Sequence, residues 1–309
     1  MALKFHRKFG KRAFLFALSV LSINSVVLAD EPSVLDMRDL IVVYDAGLEP
    51  TARQAAAEYP TLKQELESLF QWPLDFRPTV VLLNDGKRFE NLAGHKLVAA
   101  FALPNKNAVV INYSKINASP YMLRKTFKHE LCHLLLHHYI RDDNLPRWLD
   151  EGICQWASDG FADIIMDTNR DLLPAAILSD TYFDLEKLQY HFPEDNNALI
   201  LAYEQSKSVV EYLSKEYGLQ GVVDFLKLLQ QGVDLESAFK LRFAIPLAEF
   251  QYRWRGHLKK NINWFTYLSV HLYEILFVSA ALLTILGFVR KMRRRRAYSA
   301  EQEEEGDAD

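Results

Sequence analysis

The sequence predicts a mixed α/β lobe followed by an all-helical lobe, with a single membrane-spanning helix near the C-terminus. Strand and helix patterns alternate in the first part of the chain, and only helical periodicity follows about residue 196. A stretch of 25 apolar-rich residues then precedes a basic cluster. With 309 residues, 50% of them hydrophobic, the chain is long enough to bury a large core.

The composition excludes several classes of protein. With 12 Gly, 11 Pro and two Cys, the chain is neither collagen-like nor a disulfide scaffold, and its hydrophobic content excludes disorder. The formal net charge of -4 is unevenly distributed: residues 1–29 contain five Lys or Arg and no acid, whereas residues 30–263 carry an acidic excess. An acidic central domain gives no electrostatic reason to expect a nucleic acid partner.

The first 29 residues have the order of a secretory signal peptide. Five basic residues from Lys4 to Arg12 precede an apolar run from Ala13 to Leu21, and small residues end the segment at Ala29. The sequence therefore predicts cleavage after Ala29. An uncleaved anchor is the alternative, which the mass of the mature protein distinguishes.

Short apolar runs rich in β-branched residues predict the strands of the first lobe. These runs cover residues 39–44, 79–83, 97–103 and 108–113. A helical pattern covers residues 51–70, with Pro60 as a break, and residues 104–107 are typical of a turn. We therefore expect a mixed sheet.

The rest of the outer segment is predicted to be helical. Ser119 and Pro120 supply an N-cap and a first-turn proline for a helix reaching about His138, and Pro146 begins another helix. Further helices are expected over residues 198–217, 219–230, 235–241 and 246–260. Because no repeat or linker interrupts residues 30–263, we expect one domain, with an α/β lobe over about 30–145 and a helical lobe over about 146–263.

The helix that begins at Pro120 carries His-Glu-Leu-Cys-His at residues 129–133. Residues four apart share a helix face, so His129 and His133 can present two imidazoles to one metal ion. Glu130 lies about 100° round the helix and can reach a water on that ion. The motif therefore indicates a zinc-dependent hydrolase.

A catalytic zinc bound by two His needs a third protein ligand and one open position. The candidate is Glu151, which 17 residues separate from His133. A third His at metzincin spacing is disfavoured, because Leu136 and Tyr139 occupy the positions of its Gly and His.

The motif at residues 129–133, followed by Trp-Leu-x-Glu-Gly at 148–152, resembles the gluzincins. It is most similar to the peptidase MA-like group, particularly the aminopeptidase and leukotriene hydrolase branch, over about residues 97–218. The resemblance implies a zincin fold, one Zn²⁺ and peptide hydrolysis by zinc-activated water, with Glu130 as the general base. The implied metal ligands are His129, His133 and Glu151.

A later segment, Ala-Tyr-Glu-Gln-Ser at residues 202–206, extends the resemblance. In the aminopeptidase branch, the Tyr of a Tyr-Glu-Lys-Gly segment stabilises the oxyanion, and that role is implied for Tyr203. The Gly-x-Met-Glu-Asn segment that holds a substrate's free amine has no counterpart before His129, so aminopeptidase activity is not implied. Residues 108–113 form the expected edge strand, which could pair with an extended peptide.

Neighbouring polar side chains give weaker predictions. Gln155, four residues after Glu151, could orient a metal-binding imidazole, whereas Asp150 is interpreted as a surface or capping carboxylate. His137 and His138 are interpreted as helix-end histidines near a favourable dipole.

The two cysteines, Cys132 and Cys154, fall in an oxidising compartment if the signal peptide directs export. A disulfide between them is one alternative. Buried free thiols are the favoured state, because a bridge requires Cα atoms within about 7 Å.

Residues 265–289 contain no Lys, Arg, Asp or Pro and predict a transmembrane helix. Six basic residues follow between Arg290 and Arg296, while Trp264 and Tyr267 lie at the other end, in agreement with the positive-inside rule and an aromatic belt. A buried core helix is the alternative. The predicted topology places residues 30–263 outside the cytoplasm, in the periplasm or cell exterior if the source is bacterial, and the tail at 290–309 inside.

These observations predict a membrane-anchored zinc metallopeptidase that acts on a peptide or protein substrate. Two alternatives stay open: a catalytically silent zincin-fold binding module, and a zinc hydrolase of a non-peptide substrate. Glu130 beside both His residues favours an enzyme, because a scaffold requires no general base.

Overall fold

The computed structural model describes residues 32–94, 96–117, 120–158, 172–261 and 271–306. Contacts group the chain up to Gly256 into one compact unit and the chain from His257 into a second. The predicted signal peptide at residues 1–29 and the predicted N-cap Ser119 lie outside the described residues.

Five strands form one mixed sheet in the described part of the first unit, as the sequence predicts. They are β1 (Ser33–Asp36), β2 (Ile41–Tyr44), β3 (Thr79–Leu83), β4 (Ala100–Leu103) and β5 (Ala108–Asn112). The order across the sheet is β1-β2-β3-β5-β4, with β2, β3 and β5 parallel. β1 and β4 pair antiparallel at the two edges. Every residue of β3 and β5 is buried, as expected for central parallel strands.

Helices surround the sheet and follow it. They are α1 (Glu49–Phe70), α2 (Gly86–Ala93), α3 (Tyr113–Ile116), α4 (Pro120–Tyr139), α5 (Arg147–Ala157), α6 (Leu172–Ser179), α7 (Asn196–Gln230), α8 (Leu235–Phe243), α9 (Leu247–Asn261) and α10 (Leu272–Gly306). Phe89 of α2 packs on one face of the sheet against Val43, Val81 and Val110. α1 and α4 also contact the sheet, and no strand follows β5 in the described residues. The change from an α/β part to a helical part is thereby confirmed.

The edge of the sheet differs from the prediction. β5 lies between β3 and β4, so the expectation that residues 108–113 form the edge strand is wrong. A short 3₁₀ turn at Pro104–Lys106 folds β4 back onto β5, with Ala100 opposite Ile111. On this side of the sheet, β4 is therefore the edge strand among the described residues.

α1 also differs from the prediction, because it continues through Pro60 without a break. Proline removes one helical hydrogen bond, but Pro60 lies on the exposed side of the helix. Tyr59 and Leu62 continue the buried face beside it, and their packing maintains the helix. The short elements β1, α2, α3 and α6 have no counterpart among the predicted elements.

α7 combines two predicted helices. Its backbone leaves the helical region at Gly218, where φ is 73° and ψ is 170°. This conformation suits glycine, which has no Cβ to clash. The predicted helices over residues 198–217 and 219–230 are thus the two arms of α7.

α5 packs against both α4 and α7. A disulfide joins Cys132 of α4 to Cys154 of α5, with their Cα atoms 5.4 Å apart. The prediction of free thiols is therefore wrong. The packing of α5 on α4 brings the two Cα atoms within the distance that a disulfide requires, which spacing along the sequence could not show.

The second unit contains α10, and its segment Leu272–Met292, 21 residues long, could span a membrane by length and composition. No part of this apolar segment is buried among the described residues. Residues 265–270 of the predicted span lie outside the described part of the chain.

Candidate metal centre

α4 and α5 bring three predicted metal ligands together in the first unit. His129 and His133 lie one turn apart on α4, with their Nε2 atoms 3.1 Å from each other. Glu151 enters from α5, and its Oε2 lies 3.6 Å from Nε2 of His129 and 3.5 Å from Nε2 of His133. All three side chains are buried.

The triangle of donor atoms fits a zinc ion. Tetrahedral Zn²⁺ with bonds of about 2.0–2.2 Å holds its ligand atoms about 3.3–3.6 Å apart. The three separations here, from 3.1 to 3.6 Å, are close to that range. Two imidazole nitrogens and one carboxylate oxygen are also the donor types that zinc prefers.

The triangle lies in a cleft with a cavity of about 350 Å³. One wall consists of small or apolar side chains from α2 and β4 and the segments beside β4. The rest of the lining is mostly polar and includes Glu130, which is buried. The lining also includes His137, Asp142, Arg147, Asp150 and Tyr203.

Asp150 is not the surface or capping residue that the sequence predicted. Its side chain is 4% exposed, and its Oδ1 lies 2.7 Å from Nδ1 of His133. This contact orients the imidazole so that Nε2 faces the cleft. The sequence could not predict this contact between Asp150 and His133, because it joins two different helices and residue spacing alone does not show which helices pack together.

His137 lies in the last turn of α4, as predicted, and it also contacts two carboxylates. Its Nε2 lies 3.2 Å from Oδ2 of Asp150, and its Nδ1 lies 2.7 Å from Oδ1 of Asp142. A chain of polar contacts therefore runs from His133 through Asp150 and His137 to the exposed Asp142. Gln155, predicted to orient an imidazole, is fully buried, and its amide has no hydrogen-bond partner among the described residues.

Arg147 is a part of the site that the sequence analysis missed. Its Nη2 lies 2.7 Å from Oε1 of Glu151, one helical turn away. The Tyr203 hydroxyl donates to the same oxygen at 3.4 Å. The sequence feature that could have identified Arg147 is its spacing of four from Glu151, which places the two residues on one helix face.

These charges set the protonation of the buried groups. Burial raises the pKa of Glu151, but Arg147 and His133 outweigh burial and hold that pKa well below its ordinary value. Burial, together with the charge of Glu151, raises the pKa of Tyr203. Near neutral pH, Glu151 is therefore an anion and Tyr203 a hydrogen-bond donor.

The two residues after Tyr203 hydrogen-bond to the backbone of neighbouring segments. Glu204 accepts hydrogen bonds from the amides of Leu172 and Leu173 at the start of α6. Gln205 accepts from the Phe183 amide at 2.8 Å and donates to its carbonyl at 3.1 Å. Gln205, which departs from the gluzincin pattern, thus anchors a loop instead of entering the cleft.

A mixed sheet, a helix with paired histidines and a buried glutamate from the next helix are the features of a zinc metallopeptidase-type hydrolase. Residues 93–260 match the family model of the Peptidase MA superfamily, which is more than half of the chain. The protein belongs to this superfamily, and the predicted membership of the peptidase MA-like group is confirmed.

Solved structures with a similar fold include native yeast LTA4 hydrolase, with a TM-score of 0.44 and 13% sequence identity over 74% of this chain and 38% of that one. Yeast LTA4 hydrolase in complex with Bestatin has a TM-score of 0.43 and 12% identity, over 75% and 37% of the two chains. The present chain thus matches less than two-fifths of the length of either protein. No curated protein sequence matches it significantly.

Proposed function

We propose that the protein is a membrane-anchored zinc peptidase whose single Zn²⁺ is bound by His129, His133 and Glu151. The observation that carries this proposal is the triangle of three buried donor atoms, 3.1 to 3.6 Å apart, in a cleft that also contains Glu130. The fourth ligand position would face the cleft, as a catalytic zinc requires.

Each polar side chain of the cleft has a proposed role. When bound, zinc supplies Lewis acidity, which lowers the pKa of water and polarises the substrate carbonyl. Glu130 accepts a proton from the attacking water and later delivers it to the leaving amine. The Tyr203 hydroxyl donates a hydrogen bond to the oxyanion, for which its raised pKa keeps it protonated. Asp150 holds His133 in the tautomer that leaves Nε2 free.

The proposed domain organisation and location follow the sequence. Residues 1–29 are a cleaved signal peptide, residues 30–263 the peptidase domain outside the cytoplasm, and residues 290–309 a cytoplasmic tail. The exposed apolar segment Leu272–Met292 supports a membrane span close to residues 265–289. The proposed partners are a peptide or protein substrate and the bilayer.

A metal analysis paired with a peptide-library cleavage assay tests this function. Purified full-length protein should contain one zinc per chain and cleave peptides, whereas Glu130→Gln should retain zinc and lose activity by at least 100-fold, in line with a general-base role. Full cleavage activity in Glu130→Gln would reject the assigned base.

A control variant separates metal binding from catalysis. Glu151→Gln should lower the zinc content, and a full zinc complement in this variant would reject Glu151 as a ligand. Zinc binding by the unaltered protein without hydrolysis of any peptide would instead favour the silent binding module or a non-peptide substrate.

A further inference from the structure

The two carboxylate oxygens of Glu151 have different surroundings. Oε2 lies 3.6 Å and 3.5 Å from the Nε2 atoms of His129 and His133. Oε1 lies 2.7 Å from Nη2 of Arg147 and accepts the Tyr203 hydroxyl at 3.4 Å. One oxygen therefore faces the candidate metal position, and the other faces a guanidinium.

Contacts that do not involve Glu151 hold Arg147 in place. It is the first residue of α5, and its amide donates to the carbonyl of Gln189 at 2.8 Å. Its guanidinium carbon lies 5.8 Å from the centre of the Phe192 ring, within the range of a cation–π contact. Among the described residues that line the cleft, it is the one Lys or Arg.

The guanidinium of Arg147 beside Oε1 affects how Glu151 can bind a metal ion. A carboxylate can bind through one oxygen or through both, and two-oxygen binding would occupy a further position on the ion. A charge-assisted hydrogen bond from a guanidinium competes for one of the oxygens. One-oxygen binding preserves the open position of a catalytic zinc.

We propose that Arg147 is a positioning residue that holds Oε1 of Glu151 away from the metal, so that Glu151 binds zinc through Oε2 alone. This inference rests on the proposed zinc site and specifies how its glutamate ligand is constrained. Arg147 acts through Glu151 and takes no part in proton transfer.

The test measures metal binding by the full-length protein in detergent after removal of metal. Zinc affinity is measured by competition with a chelator, and the coordination number is read from the absorption bands of the Co²⁺-substituted protein. Arg147→Gln should weaken zinc binding by about 10- to 100-fold, as expected for loss of a partner that orients a metal ligand. Its cobalt bands should shift toward the weaker absorption of a five-coordinate ion.

Two further variants serve as comparison and control. Arg147→Lys retains the charge without the planar fork of donors and should lie between wild type and Arg147→Gln in zinc affinity. Arg53→Gln removes another Arg–Glu pair at a spacing of four, in which Nη2 of Arg53 lies 2.7 Å from Oε1 of Glu49 on the surface. It should leave zinc affinity and the cobalt spectrum unchanged.

Wild-type zinc affinity and a wild-type cobalt spectrum in Arg147→Gln would overturn the inference. So would an equal loss of affinity when Arg147→Gln is added to Glu151→Gln, because Arg147 would then not act through the glutamate. Failure of the proposed zinc site has a different signature: the unaltered protein would bind no zinc, or Glu151→Gln would bind it with wild-type affinity. Thermal unfolding of the metal-free variants reports any loss of folding separately.

Discussion

At the residue scale, spacing along the sequence predicts that His129 and His133 lie together, but it does not predict the position of Asp150. The spacing of four on a helix is enough to place the two imidazoles on one face. Asp150 carries no comparable signal, because its 2.7 Å contact with His133 forms only when α5 packs on α4. Its neighbour Glu151 faces the same imidazole from the other side.

Asp150 should strengthen zinc binding through His133. We expect Asp150→Asn to weaken zinc affinity by about 10-fold or more, since the variant loses the negative charge that orients the imidazole and raises its basicity. Chelator competition on the full-length protein measures this change.

Asp142→Asn is the matched control, because Asp142 ends the same chain of contacts but lies 82% exposed and touches His137 instead of a proposed ligand. Zinc affinity should stay within about twofold of wild type in this control, since an exposed ion pair contributes little. Equal losses in both variants would contradict a specific role for Asp150.

At the element scale, α5 is the helix that assembles the site. It carries Arg147, Asp150 and Glu151 within little more than one turn, and its next residue, Gly152, faces α7. A Cβ on Gly152 would lie 2.3 Å from the carbonyl oxygen of Ser206. The glycine therefore permits the close approach that brings Tyr203, one turn earlier on α7, to Glu151.

Gly152→Ala should destabilise the protein by about 1–3 kcal/mol, because the added methyl meets backbone that must move. It should also lower the proposed peptidase activity, since a shift of α7 would displace the Tyr203 hydroxyl, which is proposed to donate to the oxyanion. Urea unfolding and cleavage kinetics measure the two effects.

Gly256→Ala is the control for the backbone effect of losing a glycine. A Cβ there meets nothing within 4 Å, and the residue lies inside α9. Alanine should stabilise this helix by up to about 1 kcal/mol, because it has the higher helix propensity. If Gly152→Ala were as stable as Gly256→Ala, the proposed tight contact between α5 and α7 would be excluded.

At the scale of the whole molecule, the charges at the two ends of the chain predict its orientation. Five basic residues precede the first apolar run, and six follow the last. Lys and Arg beside an apolar span remain on the cytoplasmic side. The proposed peptidase domain between the two runs should therefore face outward.

In spheroplasts, in which both a periplasmic and an external domain are accessible, added protease should degrade the domain while an epitope at the C-terminus remains protected. The mature protein should begin at Asp30, which mass spectrometry determines. In permeabilised cells the epitope should become accessible, which controls for its intrinsic sensitivity. Loss of the epitope in spheroplasts would contradict this topology, whereas a mature protein that begins at Met1 would contradict cleavage after Ala29.

Local periodicity or composition along the chain is enough to predict the helical pairing of His129 and His133, the mixed sheet and the apolar segment near the C-terminus. Only the packing of elements in three dimensions places β4, and not residues 108–113, at one edge of the sheet and joins Cys132 to Cys154. It also determines the partners of Asp150 and Arg147. These features depend on which elements pack together, and residue spacing along one element contains no information about its neighbours.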